Sequence, residues 1–330
     1  MSGREMERFD SALPRLDAVA HWRIEPAFGA DAHDWLARAE RAGALAGAQL
    51  RKLASKSGFE PEAVLALSTI IDSTVTSSAE AVRRFCTAIE AGCGQAPQGI
   101  LSAYLCAGWG FALRHLLRNT SITRAALLIV DLDLHDMEWQ LEHPLTGLSG
   151  FGVTTLLFSL PEDRRALPEC SGPHPNSAYN EFVMALRRHE TRAGTMPAFI
   201  PFTRSDLYRS ALGALADGSL APNRHDVWGH CFGADPWIGL IEWLARPADA
   251  AARAPSVSRI LAGAIAMNGY YTLCAISLDE RIVSEFQRFD GSFAALDEAL
   301  RRGLIPGSPS RGSTQHAPDT SLLRREVTTS

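Results

Sequence analysis

A chain of 330 residues, 46% hydrophobic and 21% charged, carries enough apolar material for one large core or for two fused halves. A formal net charge of -5 gives no global attraction to nucleic acid or to an anionic membrane, so a small or carrier-borne substrate is the default partner. Six cysteines, at 86, 93, 106, 170, 231 and 274 with no CxxC pair, are too sparse for a disulfide framework and fit a reducing compartment. The opening MSGREMERFD has no apolar signal core, and no run approaches the roughly 18 apolar residues of a membrane span, so a soluble, cytoplasmic protein is expected.

In chain order, the first expected element is an Ala-rich helix over 34–56, followed after a Ser-Gly break by an apolar run over 64–71 that reads as a buried strand. A second helix spans 79–91, a Gly/Pro/Gln loop covers 92–99, and a third helix starts at Cys106 and runs to Arg118. Residues 125–130 form the next strand and 131–144 a polar loop. Gly150-Phe151-Gly152 leads into a β-rich run ending at Phe158, where glycine permits close backbone approach. The Pro-, Gly- and charge-rich stretch 161–176 suits a crossover, and helices follow over 179–189 and 205–216.

A short strand over 226–229 precedes Asp235-Pro236, where Asp can cap and Pro can occupy the first turn of a helix running to Ala245. Apolar runs over 260–267 and 270–278 flank Asn268-Gly269, the strongest short-range hairpin signal in the chain. A helix over 293–302 precedes a Ser/Thr/Pro/Arg-rich tail, 308–330, expected to be disordered. Strands and helices alternating in two unequal parts predict a layered α/β fold with a mixed sheet in each half.

The segment Leu105-Cys106-Ala107-Gly108-Trp109-Gly110-Phe111-Ala112-Leu113 sets one cysteine at the start of an apolar helix among small residues. Free N–H groups and the positive end of the helix dipole stabilise thiolate over thiol there, and the same N–H groups could help hold an oxyanion. A helix-borne cysteine can also be a small buried hydrophobe; the surrounding small-residue pattern favours the nucleophile. His115 lies roughly 13 Å farther along the same helix and is read as structural. His230 next to Cys231 suggests a metal pair, but adjacent residues on a strand face opposite ways and no second Cys/His pair stands at zinc spacing. Asp131, Asp133, His135 and Asp136 are explained by a polar loop after a buried strand, and Gly150-Phe151-Gly152 is too short for a phosphate-binding fingerprint.

The Cys106 segment resembles the nucleophile elbow of the thiolase-like condensing enzymes, nearest the β-ketoacyl-[acyl-carrier-protein] synthase III branch. That branch reads roughly A-C-A-G-F-x-x-A-L, and this chain reads L-C-A-G-W-G-F-A-L. The order of 125–131 and 147–158 is similar as well. The resemblance implies a layered αβαβα fold of two similar halves with mixed sheets: 1–160 carrying Cys106, a shortened 161–307 carrying a histidine, and the tail 308–330. His230 occupies the histidine slot, although the family continues His-Gln-Ala-Asn and this chain continues Cys231-Phe232-Gly233-Ala234.

The family's third catalytic group, an asparagine, has two alternatives here. In one, residues 260–278 align with the terminal hairpin, which places Asn268-Gly269 in the glycine-rich loop whose backbone N–H completes the oxyanion hole in the family and leaves the asparagine loop deleted. Alternatively, Asn268 itself fills the asparagine slot. The resemblance further implies acyl-coenzyme A or a phosphopantetheinyl acyl carrier protein as substrate, no permanently bound cofactor or metal, and a homodimer or a heterodimer with a related synthase.

Acyl transfer from a thioester needs a thiolate, donors for the oxyanion and a group to move a proton, and Cys106 with His230 meets the first and last of these. Three functions follow: a condensing enzyme or acyltransferase loaded on Cys106, in secondary-metabolite biosynthesis; a non-catalytic partner subunit of a heteromeric synthase; and a thioester hydrolase on the same scaffold. Arg187, Arg188 and Arg192 could face a carrier, but a solvated helix face explains them.

Overall fold

Side chains that alternate between two neighbours at every second position sort this chain into layers. The computed structural model describes residues 11–24, 35–70, 75, 78–132, 142–143, 146–174, 177–193, 196–204, 206, 210–211, 213, 220–246 and 258–289. The strands are β1 (Arg15–Ile24), β2 (Ala63–Leu67), β3 (Gly99–Leu101), β4 (Arg124–Asp131), β5 (Glu142–His143), β6 (Gly147–Leu148), β7 (Gly152–Ser159), β8 (Glu169–Ser171), β9 (Ala198–Phe199), β10 (Arg259–Ile265) and β11 (Tyr271–Phe289). The helices are α1 (Trp35–Ser57), α2 (Ala79–Cys93), α3 (Gly108–Asn119), α4 (Ala178–Ala193), α5 (His225–Trp228) and α6 (Asp235–Leu244), with 3-10 turns at Leu105–Ala107 and Phe232–Ala234.

Strand order is β3-β2-β4-β7-β1-β11-β10-β9, with β8 also on β11 and β5-β6 a separate ladder. Strands β3, β2 and β4 run parallel, whereas β7 is antiparallel to both β4 and β1. The long β11 joins two groups of strands. Its first stretch pairs antiparallel with β10, and its last, from Val283 to Phe289, pairs parallel with β1.

On β4, Ala126, Leu128 and Val130 face a cluster with Leu45 and Leu53 of α1 and Phe85 and Ile89 of α2. The intervening Ala125, Leu127 and Ile129 face Trp109 and Leu113 of α3 and Trp237 and Leu240 of α6. That middle cluster also takes Ile260 and Ala262 of β10 with Cys274 and Ile276 of β11, whose alternate residues Leu261, Leu273 and Ala275 pack on Phe182 and Leu186 of α4. The result is a five-layer αβαβα stack, as expected. At its centre the Trp109 and Trp237 rings meet edge to face, 4.9 Å apart. Truncating either fully buried indole to alanine would cost about 3–5 kcal/mol.

Several expected elements change. Strand β1 was not anticipated. Its apolar run is broken by Asp17, His21 and Arg23, and it is covered on both faces, so it shows no clean alternation. Residues 226–229, expected as a strand, form the single turn α5: the Arg224 carbonyl accepts the N–H groups of Val227 and Trp228, and Gly229 closes the turn at φ +70. Strand β11 continues past 278 because the charged Asp279-Glu280-Arg281 is a bulge between two paired stretches, not a loop. The hairpin forms at Asn268-Gly269, with Gly269 at φ +87 donating to the Ala266 carbonyl. The helix over 205–216 lies mostly outside the described residues, as does the loop over 131–144; the helix over 293–302 and the tail lie wholly outside them.

Candidate active site

Cys106 sits in the 3-10 turn Leu105–Ala107, one step ahead of α3 and not within its first turn. The turn is closed by Leu105 N–H on the Ser102 carbonyl and Ala107 N–H on the Tyr104 carbonyl, both at 3.0 Å. Leu105 adopts φ +46, a left-handed conformation that costs a non-glycine residue about 1–2 kcal/mol and is retained where the surroundings enforce it. Phe232, two residues beyond His230, does the same at φ +54. The two strained turns back onto each other: a Cβ on Gly233 would lie 3.2 Å from the Cys106 carbonyl oxygen.

His230 reaches this turn from the loop between α5 and α6. Its main chain is clamped to the β6–β7 connection, with His230 N–H on the Leu148 carbonyl at 2.7 Å and Gly150 N–H on the His230 carbonyl at 2.9 Å. The ring Nε2 stands 3.8 Å from Cys106 Sγ, both side chains buried. Nδ1 stands 2.6 Å from Oδ2 of Asp235, which is 0% exposed. Asp235 is anchored in turn by the N–H groups of Cys231 at 2.6 Å and Phe202 at 2.9 Å.

Burial works against a charged His230 ring. The attraction and hydrogen bond of Asp235, with a smaller contribution from Cys106, outweigh it and raise the imidazole well above its usual range. Protonated at neutral pH, the ring donates from Nδ1 to Asp235 and directs its Nε2 proton at the sulfur. Cys106, His230 and Asp235 thus form a line in which the carboxylate orients and charges the ring, and the ring faces the nucleophile.

Asp235 is the residue that sequence reasoning misassigned. It was expected to cap α6, but its side chain makes no capping bond and turns back onto His230 and Cys231. The available signal was an acidic residue five positions after the histidine, which helix-capping statistics explain equally well.

Asn268 lies on the hairpin whose Ala266 and Tyr270 pack beside the Cys106 turn. Its side-chain amide donates to the Ala103 carbonyl at 3.1 Å, tying the hairpin to the segment before the nucleophile. Among the described residues it makes no hydrogen bond to Cys106 or His230. The Gly269 N–H, expected as an oxyanion donor, is already used within the hairpin, on Ala266 at 2.9 Å.

Cys231 turns its thiol to the Trp228 carbonyl at 3.5 Å, and among the described residues no cluster of His, Cys, Asp and Glu is arranged for a metal. Asp131 is not a loop residue but the buried end of β4; Asp133, His135 and Asp136 lie outside the described residues. His115 bonds Asn119 on the exposed side of α3. Arg188 pairs with Glu169 at 2.7 Å, Arg187 is exposed, and the Arg192 side chain lies outside the described residues.

No family model matches the sequence, and no curated protein matches it significantly. Solved structures are similar in fold. The chain superposes on 3-oxoacyl-(acyl carrier protein) synthase III, FabH, from Pseudomonas aeruginosa PAO1 with TM-score 0.56 and 13% identity over 81% of this chain and 99% of that one. The priming β-ketosynthase of the R1128 polyketide biosynthetic pathway matches with TM-score 0.54 and 14% identity over 81% and 96%. ChlB3, named an acyltransferase, matches with TM-score 0.54 and 11% identity over 79% and 96%. The fold is the thiolase-like fold of the β-ketoacyl synthase III enzymes. No helix among the described residues is long and apolar enough to cross a membrane.

Proposed function

We propose that this chain is an acyl-transferring enzyme that takes an acyl group from coenzyme A or a phosphopantetheinyl carrier protein onto Cys106. The support is the buried line Cys106, His230, Asp235. In the first half-reaction the Cys106 thiolate attacks the thioester carbonyl carbon, and the carbonyl electron pair moves to oxygen. Collapse expels the carrier thiolate, which takes the proton from His230 Nε2. In the second, His230 removes a proton from an alcohol, amine or thiol acceptor as it attacks the acyl-cysteine, and Cys106 leaves as thiolate. Asp235 keeps the ring oriented and stabilises its charged form in both.

Transfer without decarboxylation fits this geometry best. Decarboxylative condensation in the resembled family uses histidine and asparagine together to hold an enolate, whereas Asn268 is tied to Ala103 and a carboxylate stands behind His230. The proposal keeps residues 1–160 and 161–307 as the two halves bearing Cys106 and His230, dimerisation with itself or a related synthase, a cytoplasmic location and a place in secondary metabolism.

Intact-protein mass spectrometry after incubation with a panel of acyl-coenzyme A and acyl-carrier thioesters tests it. An adduct on the wild type, mapped to Cys106 and absent in Cys106→Ala, is the expected result. No adduct across the panel would overturn acyl loading and leave the partner-subunit role. An adduct that decays in water without any acceptor would identify a hydrolase.

A further inference from the structure

The Cys106 sulfur has a second polar neighbour. Thr69 Oγ1 lies 3.7 Å from Sγ with the hydroxyl as donor. Thr69 belongs to the segment leaving β2, and that segment is held by Asp131 at the end of the adjacent parallel strand β4. Asp131 Oδ1 accepts the Thr69 N–H at 2.6 Å, the Ser68 hydroxyl at 3.1 Å and the Ile70 N–H at 3.3 Å; Ser68 Oγ in turn accepts the Ile70 N–H at 3.0 Å. Three donors converge on one carboxylate oxygen, so the conformation of residues 68–70 is set by this side chain.

Asp131 is only 2% exposed, and its other oxygen, Oδ2, is buried with no hydrogen-bond partner among the described residues. The nearby Gly233 N–H favours the ionised form but falls short of hydrogen-bond geometry with Oδ2. Burial nevertheless dominates and lifts the carboxyl to about 6, against the pull of the surrounding donors. A buried carboxyl group with one oxygen unsatisfied is an unfavourable element in a core, and it lines the small cavity over Cys106 together with Thr69, Leu105, Trp109 and Gly233.

We propose that Thr69 is a second hydrogen-bond donor to the Cys106 thiolate, beside His230, and that Asp131 is the positioning residue that holds Thr69 in place. A negative sulfur gains from every donor aimed at it, and hydrogen bonds to charged groups are about twice as strong as neutral ones. Among the described residues, the charged groups set about the Cys106 turn are His230, from the loop before α6, with Asp235 at the start of α6, and Asp131 from β4; the titratable side chains of Tyr270 on the hairpin and Tyr104 beside the turn lie next to it. The inference rests on Cys106 being the nucleophile, but it concerns the thiolate itself and not the acyl donor.

The test is the rate of Cys106 carbamidomethylation by iodoacetamide as a function of pH, read by peptide mass spectrometry on the full-length chain. Wild type, Thr69→Val, Thr69→Ser and Asp131→Asn are compared, each checked for an unchanged far-ultraviolet circular dichroism spectrum. Thr69→Val is expected to move the midpoint of the profile to higher pH and slow alkylation at neutral pH by about tenfold, with the alkaline plateau kept or raised. Thr69→Ser restores the wild-type profile; Asp131→Asn is made in both the wild-type and the Thr69→Val backgrounds, so that the loss of its negative charge cancels, and is expected to raise the midpoint in the first relative to the second. A Thr69→Val midpoint coincident with wild type, or a uniform slowing at every pH, overturns the proposal. Because alkylation requires only the thiolate, failure of acyl loading and failure of this inference are read separately.

Discussion

Asp235 and His230 stand five positions apart in the chain and 2.6 Å apart through Oδ2 and Nδ1, both buried, with the opposite edge of the ring turned to Cys106 at 3.8 Å. Two main-chain N–H groups fix the carboxylate, so it cannot rotate away to solvent. The imidazole is therefore held in one orientation and in its charged form before any substrate arrives, which is the preorganisation that proton transfer to a leaving thiolate requires.

Replacing Asp235 with Asn keeps the size of the group but removes the charge that holds His230 protonated. Acyl transfer is expected to fall by about 10²-fold or more, with the pH optimum displaced to lower values as the ring loses its partner. A rate and pH profile within threefold of wild type would show that Asp235 is only a structural anchor.

His230 also links folding to alkaline pH. Its folded value lies above the ordinary 6.5, so its contribution to stability is complete below that value and is lost as pH rises through the folded one. Urea midpoints measured from neutral to alkaline pH should decline more steeply in wild type than in His230→Gln. Parallel curves would contradict the raised value.

His21 acts with the opposite sign. Burial, reinforced by Arg23, lowers it from 6.5 to about 3, while Nδ1 bonds Thr154 Oγ1 at 2.8 Å. Its neutral form supports folding above 6.5, and that support is lost as pH falls from 6.5 toward 3, with a slope of up to about 1.4 kcal/mol per pH unit. His21→Gln should flatten the acid limb of the stability curve by about one proton's worth; an unchanged limb would count against it.

Helices α1 and α2 touch backbone to backbone. A Cβ on Gly47 would lie 2.5 Å from the Ile89 carbonyl oxygen and 2.8 Å from Gly92 Cα. Gly47→Ala is expected to destabilise by about 1–3 kcal/mol despite a helix-propensity gain of about 1 kcal/mol. Denaturant unfolding decides between that and net stabilisation.

Asn268→Ala removes the tie to Ala103 and little else that faces the sulfur. Acyl loading on Cys106 is expected to stay within about threefold of wild type, since no hydrogen bond to the reacting groups is lost. A loss as large as that of Asp235→Asn would place Asn268 in the chemistry and revive decarboxylative condensation.

By itself the sequence determined the parts that rest on local chemistry. The small residues around Cys106 mark the entry to a helix, Asn268-Gly269 makes the hairpin because glycine accepts a positive φ there, and the unbroken apolar run 125–130 marks a buried strand, which lies between two cores. The resemblance in the Cys106 segment also pointed to the αβαβα stack and to His230.

Only the tertiary structure decided which groups meet. Asp235 carries the marks of a helix cap, and its role emerges when the strained turn at Phe232 folds its carboxylate back on the ring. Thr69 and Asp131 are 62 residues apart and come together because β2 and β4 lie side by side in one register. Strand β1 was invisible because burial on both faces leaves no alternation and Asp17, His21 and Arg23 break the continuous apolar run by which a buried strand such as β4 is read. Turn and period signals act over a few residues, whereas strand order joins residues through contacts that no local window contains.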